Sequence, residues 1–467
     1  MRDNHFSPLT LTEAMSNFRP INRDTGFLLP PSVDEWLPQR HLARFVVEVI
    51  DGLDLSELVK AYRGSGSASY HPAMLLGLLV YGYATKAFSS RAIERATHDS
   101  VAFRFIAGNE HPDHDTIAVF RKRFLPQIEA LFVEVLKLAR ALGMLKLGTV
   151  ALDGTKVHAN ASRHSALSYG HAKKIEKQLK REVQQLLRLA EEADAKDIPD
   201  GMSIPEELER RELRLAAIAA AKAKIEARAE ERLEREEAEH QSKLEARAEQ
   251  EERTGKKTRG PPPGPPTGGV KDKDQVNLTD EDSRIMKVAG GGFDQCYNAQ
   301  AVVATGSMLI VATEVTQAAN DKEQLVPMIE KLQALPKELG RAKRILADSG
   351  YLSAANVEGC EAAKIEPLIA LGRSRHHVSW KQRFAAAPKA PPGSATPMQK
   401  MAHRLKTPRG RKLYALRKQT PEPVFGIIKS VMGYRQSLLR GLQNVKGEWN
   451  LVTMSWNIKR MFALQIC

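Results

Sequence analysis

Residues 149–162 read TVALDGTKVHANAS and residues 344–351 read RILADSGY. Each is a short apolar run that delivers an aspartate, Asp153 or Asp348, into small residues. Runs of this length bounded by turn-forming residues predict buried strands with the aspartate at the strand exit. One such aspartate is most simply a turn former or a helix cap. Two in the same local context, on neighbouring parallel strands, would bring two carboxylates together at the end of a sheet where ligands gather. Their mutual repulsion then calls for a cation, which makes a metal site the reading to pursue.

Working outward, the pattern after residue 285 alternates. FDQCYNAQAVVA and SMLIVATEVT, separated by a Thr-Gly turn, predict a hairpin, and NDKEQLVPMIEKLQAL predicts a helix. The strand RILADSG, a helix from Ser353 to about Lys364 and the strand IEPLIAL follow. This is an α/β layer whose first strand is TVALDG. Between that strand and the next lies charge-dense, Ala-rich sequence from about 165 to 255, with Ile175, Leu179, Leu186 and Ala190 near heptad spacing. It predicts an inserted antiparallel helical hairpin broken at KDIPDGMSIP, its second arm about 70 Å long at 1.5 Å per residue. The charge runs fit solvated faces with i,i+4 pairs. RTGKKTRGPPPGPPTGGVKDKD then predicts a basic, mobile Pro/Gly-rich linker over 256–284.

Towards the start, a polar arm covers 1–34, and residues 35–145 show helical periods with Pro72 suited to a first turn, Ser89 or Ser90 to an N-cap, and Gly108 and Gly143 to helix ends. The expectation is an all-helical N-terminal domain. Its segments 89–108 and 111–124 are two helices with a short link, the second opening at Asp115 or Thr116 and carrying Arg121, Lys122 and Arg123. The pair reads as bundle packing or as a DNA-binding helix-turn-helix. The catalytic layer is then expected over 146–164 and 285–467, with the hairpin over 165–255.

Length and charge frame these parts. A chain of 467 residues with 42% hydrophobic residues supports two or three domains with real cores. The net charge of +14 fits a polyanion binder, nucleic acid first, and also a basic protein with no such partner. Cys296, Cys360 and Cys467 lie far apart with no CxxC pair, which argues against a zinc cluster or a disulfide framework and fits a reducing cytosol. MLLGLLVYGYA at 74–84 is too short to cross a bilayer, which takes about 20 residues. MRDNHFSPLTLTEAMSNF lacks the apolar segment of a signal peptide, so a cytoplasmic protein with no membrane association is expected.

A third acid comes from KLYALRKQTPEPVFGIIKSVMG at 412–433. Thr420 is a good N-cap and Pro421 a good first helical residue, which places Glu422 in a first turn with Lys429 two turns on along the same face. Tyr414 and Arg417 form an i,i+3 pair just before the break. A glutamate there is also simply favoured by the helix dipole.

Taken in order, VALDGTKVHANAS, GFDQCYNAQAVV, ILADSGYLS and YALRKQTPEPVFGIIK resemble the catalytic half of bacterial insertion-sequence transposases of the DDE class, and residues 35–140 resemble their N-terminal domain. The resemblance implies an RNase H-like catalytic domain with Asp153, Asp348 and Glu422 as its triad of acids. It further implies that Tyr414, Arg417 and Lys429 complete the Tyr, Arg, Glu, Lys signature around the last acid. Many relatives have three residues between that Arg and that Glu; here Lys418 to Pro421 make four.

Three converging carboxylates offer hard oxygen donors that suit two Mg2+ or Mn2+ ions, and none of the 13 histidines lies in a HExxH pattern. The expected activity is cutting of element ends and joining of the freed 3′-hydroxyl to target DNA. Lys156, Arg417 and Lys429 are expected to neutralise phosphates, and Tyr414 to join them in binding DNA. Asn160 and Asn298 read as turn residues, and His158 as a structural hydrogen-bonder. Expected partners are double-stranded DNA, both transposon ends and target, and further copies of the chain in a dimer or higher oligomer at the nucleoid. Alternatives of the same fold are a structure-selective DNA nuclease and an inactive DNA-binding or assembly protein.

Overall fold

The computed structural model describes residues 32–62, 69–192, 203–258, 260–372 and 389–466. At its centre is β1 (Thr149–His158), antiparallel to β5 (Phe293–Ala304) on one side and parallel to β7 (Arg344–Ala347) on the other, with β8 (Glu366–Ile369) parallel beyond β7. The far edge of β5 is shared. Its first residues pair with β4 (Arg284–Lys287) and its later ones with β6 (Ile310–Thr316), completing one mixed six-stranded sheet. β5 is buried from Gln295 onwards, which fits its nearly continuous small and apolar run, since a strand covered on both faces loses the in-out alternation.

β1 is longer than the sequence suggests. Its parallel pairing with β7 stops at Ala151, where the aspartate was expected to leave the sheet. Its antiparallel pairing with β5 runs on from Asp153 through Gly154 to His158. The glycine therefore opens no turn; the long partner β5 keeps the backbone extended, and Asp153 sits in mid-strand beside the end of β7.

Helices Leu42–Asp51, Pro72–Ala84, Ser90–Asp99, Val101–Ile106 and His114–Ala141 precede the sheet. Pro72 stands in a first turn, the Ser89 side chain accepts from Ala92 N, and Gly108 and Gly143 end their helices at φ +59° and +73°, where glycine is favoured. These helices share their core with the sheet. The C-terminal helix Leu442–Ile466 packs against Pro72–Ala84 and His114–Ala141 on one side and β6 on the other, and one apolar cluster extends from Leu37 to Met461. The expected boundary near 145 thus divides the chain but not the core. Asn457 fixes the helix to the sheet, donating to Ile310 O and accepting from Ile310 N, both at 2.8 Å.

The long helix opens at His114, one residue before the expected start, because Asp113 caps it. Arg121 is not available to a DNA groove: it is 7% exposed and donates to the Tyr83 hydroxyl and to Phe88 O. Arg123 lies over the Tyr62 and Phe124 rings. Of the three basic residues on this helix, Lys122 alone is exposed without a contact of this kind, which accords with the bundle-packing alternative.

The insertion consists of a first arm (Tyr169–Glu192) and a second arm (Ile204–Thr254). Their pairing is antiparallel: Lys222 meets Glu176 at 2.7 Å and Arg211 meets Glu182 at 2.8 Å, while Leu179, Ile218, Ala221 and Ile225 share an apolar seam. The Pro/Gly-rich segment expected to be a mobile linker lies back along the second arm. Arg247 donates to the carbonyls of Thr258, Gly260 and Pro261, and Arg232 forms a two-pronged ion pair with Asp274 at 3.0 and 2.9 Å. Proline-rich backbone carries carbonyls with few donors of its own, and helix-borne arginines supply them. β2 (Ala166–Ser168) and β3 (Gln275–Asn277) pair at the base, where the excursion leaves and rejoins the sheet. Among the described residues no helix is long and apolar enough to cross a membrane. Residues 1–31 of the polar arm, and Cys467, lie outside the described residues.

Candidate active site

β6, β1 and β7 run in the same direction, so their carboxyl ends lie at one end of the sheet. Each contributes an acid near the level at which β7 ends, Asp153 from the middle of β1. Asp153 is on β1, opposite Ala301 of β5. Asp348 directly follows β7 and caps the turn Ser349–Tyr351, accepting from Gly350 N at 2.8 Å. The third, Asp321, follows β6 and was not foreseen.

Asp321 Oδ1 accepts from Asn298 Nδ2 at 2.6 Å and Gln300 Nε2 at 2.8 Å, and Lys156 Nζ stands 3.9 Å away. The register explains the cluster. Asn298 is paired with Lys156, and Gln300 with Gly154, so β5 presents two amides beside the stretch of β1 just past Asp153. Gly154, without a side chain, leaves the space that the Asp321 carboxylate and the Gln300 amide take up. Asn298 is therefore no turn residue; it lies fully buried in mid-strand. The Tyr351 hydroxyl donates to Gln300 Oε1 and Trp449 Nε1 to Gln300 O, which fixes the amide from behind. The available signal was the pair Asn298 and Gln300, two positions apart in an otherwise small and apolar run and so on one face of the strand, since buried amides require partners.

Glu422 reaches the group through an arginine. Arg417 Nη1 donates to Asp153 Oδ2 at 3.3 Å and Nη2 to Glu422 Oε1 at 3.0 Å, so a single guanidinium links the two acids. Burial works against the Arg417 charge, but Asp153, Tyr414, Asp348 and Glu422 outweigh it and hold the group above its ordinary value. Tyr414 packs beside Ala151, Leu346 and Leu368 on the underside of the strands, and its hydroxyl interacts with Arg417. The expected phosphate contact of Arg417 is thus taken up within the chain by carboxylates.

The local helix differs from expectation. Thr420 does not cap it with its side chain; it lies in helical space and donates Oγ1 to Leu416 O, continuing the preceding turns. After Pro421–Gly426 the chain widens into a π-turn over Ile427–Val431. Such bulges shift the face that later residues present. Lys429 accordingly points at the sheet, donating from Nζ to Lys156 O at 2.7 Å, while Glu422 turns to Arg417. Burial lowers the Lys429 ammonium, as do Arg435 and Lys156; Lys156 itself is lowered by burial against the pull of Asp321.

Asp153 is the electrostatic centre. Burial raises its carboxyl, Arg417 pulls it down, and the charges of Asp348 and Asp321 push it up, which together leave it at about 7. His158 hydrogen-bonds Asp294 at 3.1 Å, and Asn160 donates to Leu438 O at 2.7 Å, so both stitch the strand to its neighbours.

The donor set is chemically suited to a hard divalent cation: crowded carboxylates with too little positive charge among them. Among the described residues no three acids close into a coordination set by themselves, because the Arg417 guanidinium stands between Asp153 and Glu422.

Residues 31–123 match a family model described as Transposase domain (DUF772), and residues 257–458 match one described as Transposase DDE domain. The order of the sheet, with β1 flanked by antiparallel β5 and parallel β7, is that of the RNase H-like fold which the second match implies. No curated protein and no solved structure matches the chain.

Proposed function

The chain belongs to the insertion-sequence transposases of the DDE class, and on that premise we propose that it cuts the ends of its element and joins the freed 3′-hydroxyls to target DNA. The family is one of metal-dependent nucleases and transferases. The observation that carries the reading is the meeting of Asp153 and Asp348 on neighbouring parallel strands, with Glu422 tied to the same point by Arg417.

Asp153, Asp348 and Glu422 would hold two Mg2+ or Mn2+ ions, which when bound supply Lewis-acid stabilisation of the oxygens that attack and leave. In the first reaction a water oxygen bonds to phosphorus and the 3′-oxygen of the element end leaves as a hydroxyl. In the second that hydroxyl attacks a target phosphodiester, so one P–O bond forms as another breaks. No protein nucleophile takes part. Lys156 and Lys429, held at the edge of the acids, offer positive charge to the phosphates on either side of the scissile one. Arg417 holds Asp153 and Glu422 at a fixed separation and offsets their charge before a cation arrives. Tyr414 supports Arg417 from the apolar side. Two ends must be processed, which favours a dimer or higher oligomer on DNA, acting at the nucleoid.

The test is a duplex that carries the element's terminal sequence, incubated with Mg2+ or Mn2+. Asp153→Asn, Asp348→Asn and Glu422→Gln should each lose at least a thousandfold in cleavage, about 4 kcal/mol of barrier, with DNA binding retained. A pre-cut duplex with a free 3′-hydroxyl should yield joined products; hydrolysis alone would instead indicate a nuclease. Cleavage unaffected by Asp153→Asn would sink the proposal.

A further inference from the structure

We infer that the cavity between the inserted hairpin and the free edge of the sheet is a second binding site for DNA, one that grips the phosphodiester backbone away from the catalytic acids. This rests on the DNA-processing reading above and gives the insertion a task.

The cavity, about 730 Å³, lies where the second arm passes the edge shared by β4 and β6. Arg228, Arg232 and Arg235 line it from the arm, with Lys273 and Arg284 from the returning chain. Positions i, i+4 and i+7 share one helical face, so the three arginines form a row about 10 Å long at 1.5 Å per residue. A DNA strand carries one charge per about 3.4 Å of helix axis, so the row spans about three phosphates, with Arg228 and Arg235 at its ends as the contacts and Arg232 between them held by Asp274.

Two of the cations lack the partner their burial calls for. Arg284 donates from one nitrogen to the carbonyls of Glu281, Asp282 and Ser283, and Arg228 donates to Glu281 O. Both guanidiniums thus converge on one turn of main chain. Among the described residues neither has a carboxylate oxygen within ion-pair distance, and Arg228 Nη1 is buried with no acceptor at all. Burial brings Arg284 down to about 10, with the neighbouring Arg228 charge the next cause. A buried guanidinium nitrogen with no acceptor is costly unless something anionic comes to it.

The acids around the cavity do not serve that need. Asp274 is spoken for by Arg232, and Glu314 by Lys331 and Lys446 at 3.1 and 2.8 Å. Glu231 and Glu323 are exposed to solvent. Beside these two exposed carboxylates, the cavity presents guanidinium and amide, the donor set that recognises phosphate oxygens.

The location favours DNA over a free anion. Gln317, Ala318 and Ala319 form part of the cavity wall, and the same connection goes on to Asp321 at the catalytic acids. Ala318 O accepts from Asn298 Nδ2, the amide that also holds Asp321. Ala319 and Asn320 are exposed along this connection, which leads from the cavity wall to Asp321 beside Asp153.

The experiment uses the full-length chain carrying Asp153→Asn, so that binding is read without cutting. A short fluorescent DNA duplex is titrated by anisotropy between about 50 and 200 mM NaCl. The added pair Arg228→Ala and Arg235→Ala should weaken binding about tenfold and flatten the log–log salt slope by about 1.8, two phosphate contacts at about 0.9 each. The lysine pair should restore the slope. Arg235→Glu, at an exposed position that no packing depends on, should weaken binding even if the alanine pair melts early. An unchanged slope in the alanine pair and in Arg235→Glu overturns the inference, as does an RNA duplex bound as tightly as DNA with the same dependence on the arginines. Because no cleavage is measured, failure of the catalytic reading is seen separately, in the uncut duplex of the previous experiment.

Discussion

A β-carbon added at Gly154 would come within 2.3 Å of Gln300 Nε2 and 2.7 Å of Asp321 Oδ1. Neither group can retreat freely, since Gln300 is held by Tyr351 and Asp321 by two amides. Gly154→Ala should therefore cost about 1–3 kcal/mol in urea unfolding and abolish cleavage together with it; a stable, active variant would show that the amide cluster tolerates displacement. Asp153 gives a second expectation at this scale. Its folded carboxyl titrates near 7, above the ordinary value, so the metal-free native state binds the proton more tightly than the unfolded chain does. The group's contribution to stability is greatest at low pH and is lost as pH rises from about 4 through 7. Asp153→Asn should accordingly raise the melting temperature of the EDTA-treated protein at pH 8 by a few degrees. The gain should vanish near pH 4, and added Mg2+ should stabilise the parent but not the variant. Residue identity was the most legible level of the sequence. Asp153, Asp348 and Glu422 stood out from their local contexts, whereas Asp321 did not, because its setting comes from β5 and a single Asn-Asp pair in a loop carries no strand pattern.

The strands and most helices could be read from periodicity, and their ends could not. β1 outlasts its apolar run because β5 supplies a partner for every residue up to His158, and no local signal in GTKVH announces a partner some 140 residues away. Thr420 has the chemistry of a cap and does not act as one, since the preceding turns continue into it. The π-turn at Ile427–Val431 left no mark in the spacing, which put Glu422 and Lys429 on one face of a regular helix. The Pro/Gly segment shows the same limit: its composition fits a free linker, and arginines on a separate element recruit it. Arg247→Ala removes the donor to three of its carbonyls, so trypsin should cut after Lys256 and Lys257 several-fold faster in the variant, local opening being set by few contacts there. Equal rates would show that the prolines hold the segment unaided.

Across the whole molecule, the N-terminal helices and the catalytic sheet are joined through Glu448 on the C-terminal helix. This carboxylate is 0% exposed and accepts from the Tyr83 hydroxyl at 2.8 Å, from the Ser437 hydroxyl, and from the backbone of Leu438 and Leu439 at 3.0 and 3.1 Å. Glu448→Ala strands those donors in the core and should destabilise the protein by about 3–5 kcal/mol, with both regions melting in one transition because they share one apolar cluster. Two separate transitions would contradict that unity. The sequence led to separate domains here because helical periods and strand periods change over near residue 145, and a period says nothing about which core an apolar face joins.

The pairing of β2 with β3 also bears on how such a chain diversifies. Tyr169 N meets Asp274 O at 2.8 Å, Asn277 Nδ2 meets Ser162 O at 2.7 Å, and Leu278 N meets Ser165 O at 3.0 Å, so an excursion of over a hundred residues is closed off at its own doorway. The conformational entropy of the arms is settled at that doorway and is not passed on to the strands of the six-stranded sheet. Because β2 and β3 close this base by themselves, it is the natural grafting point for arms of another length, and such a replacement should leave the pairing of the six-stranded sheet unchanged.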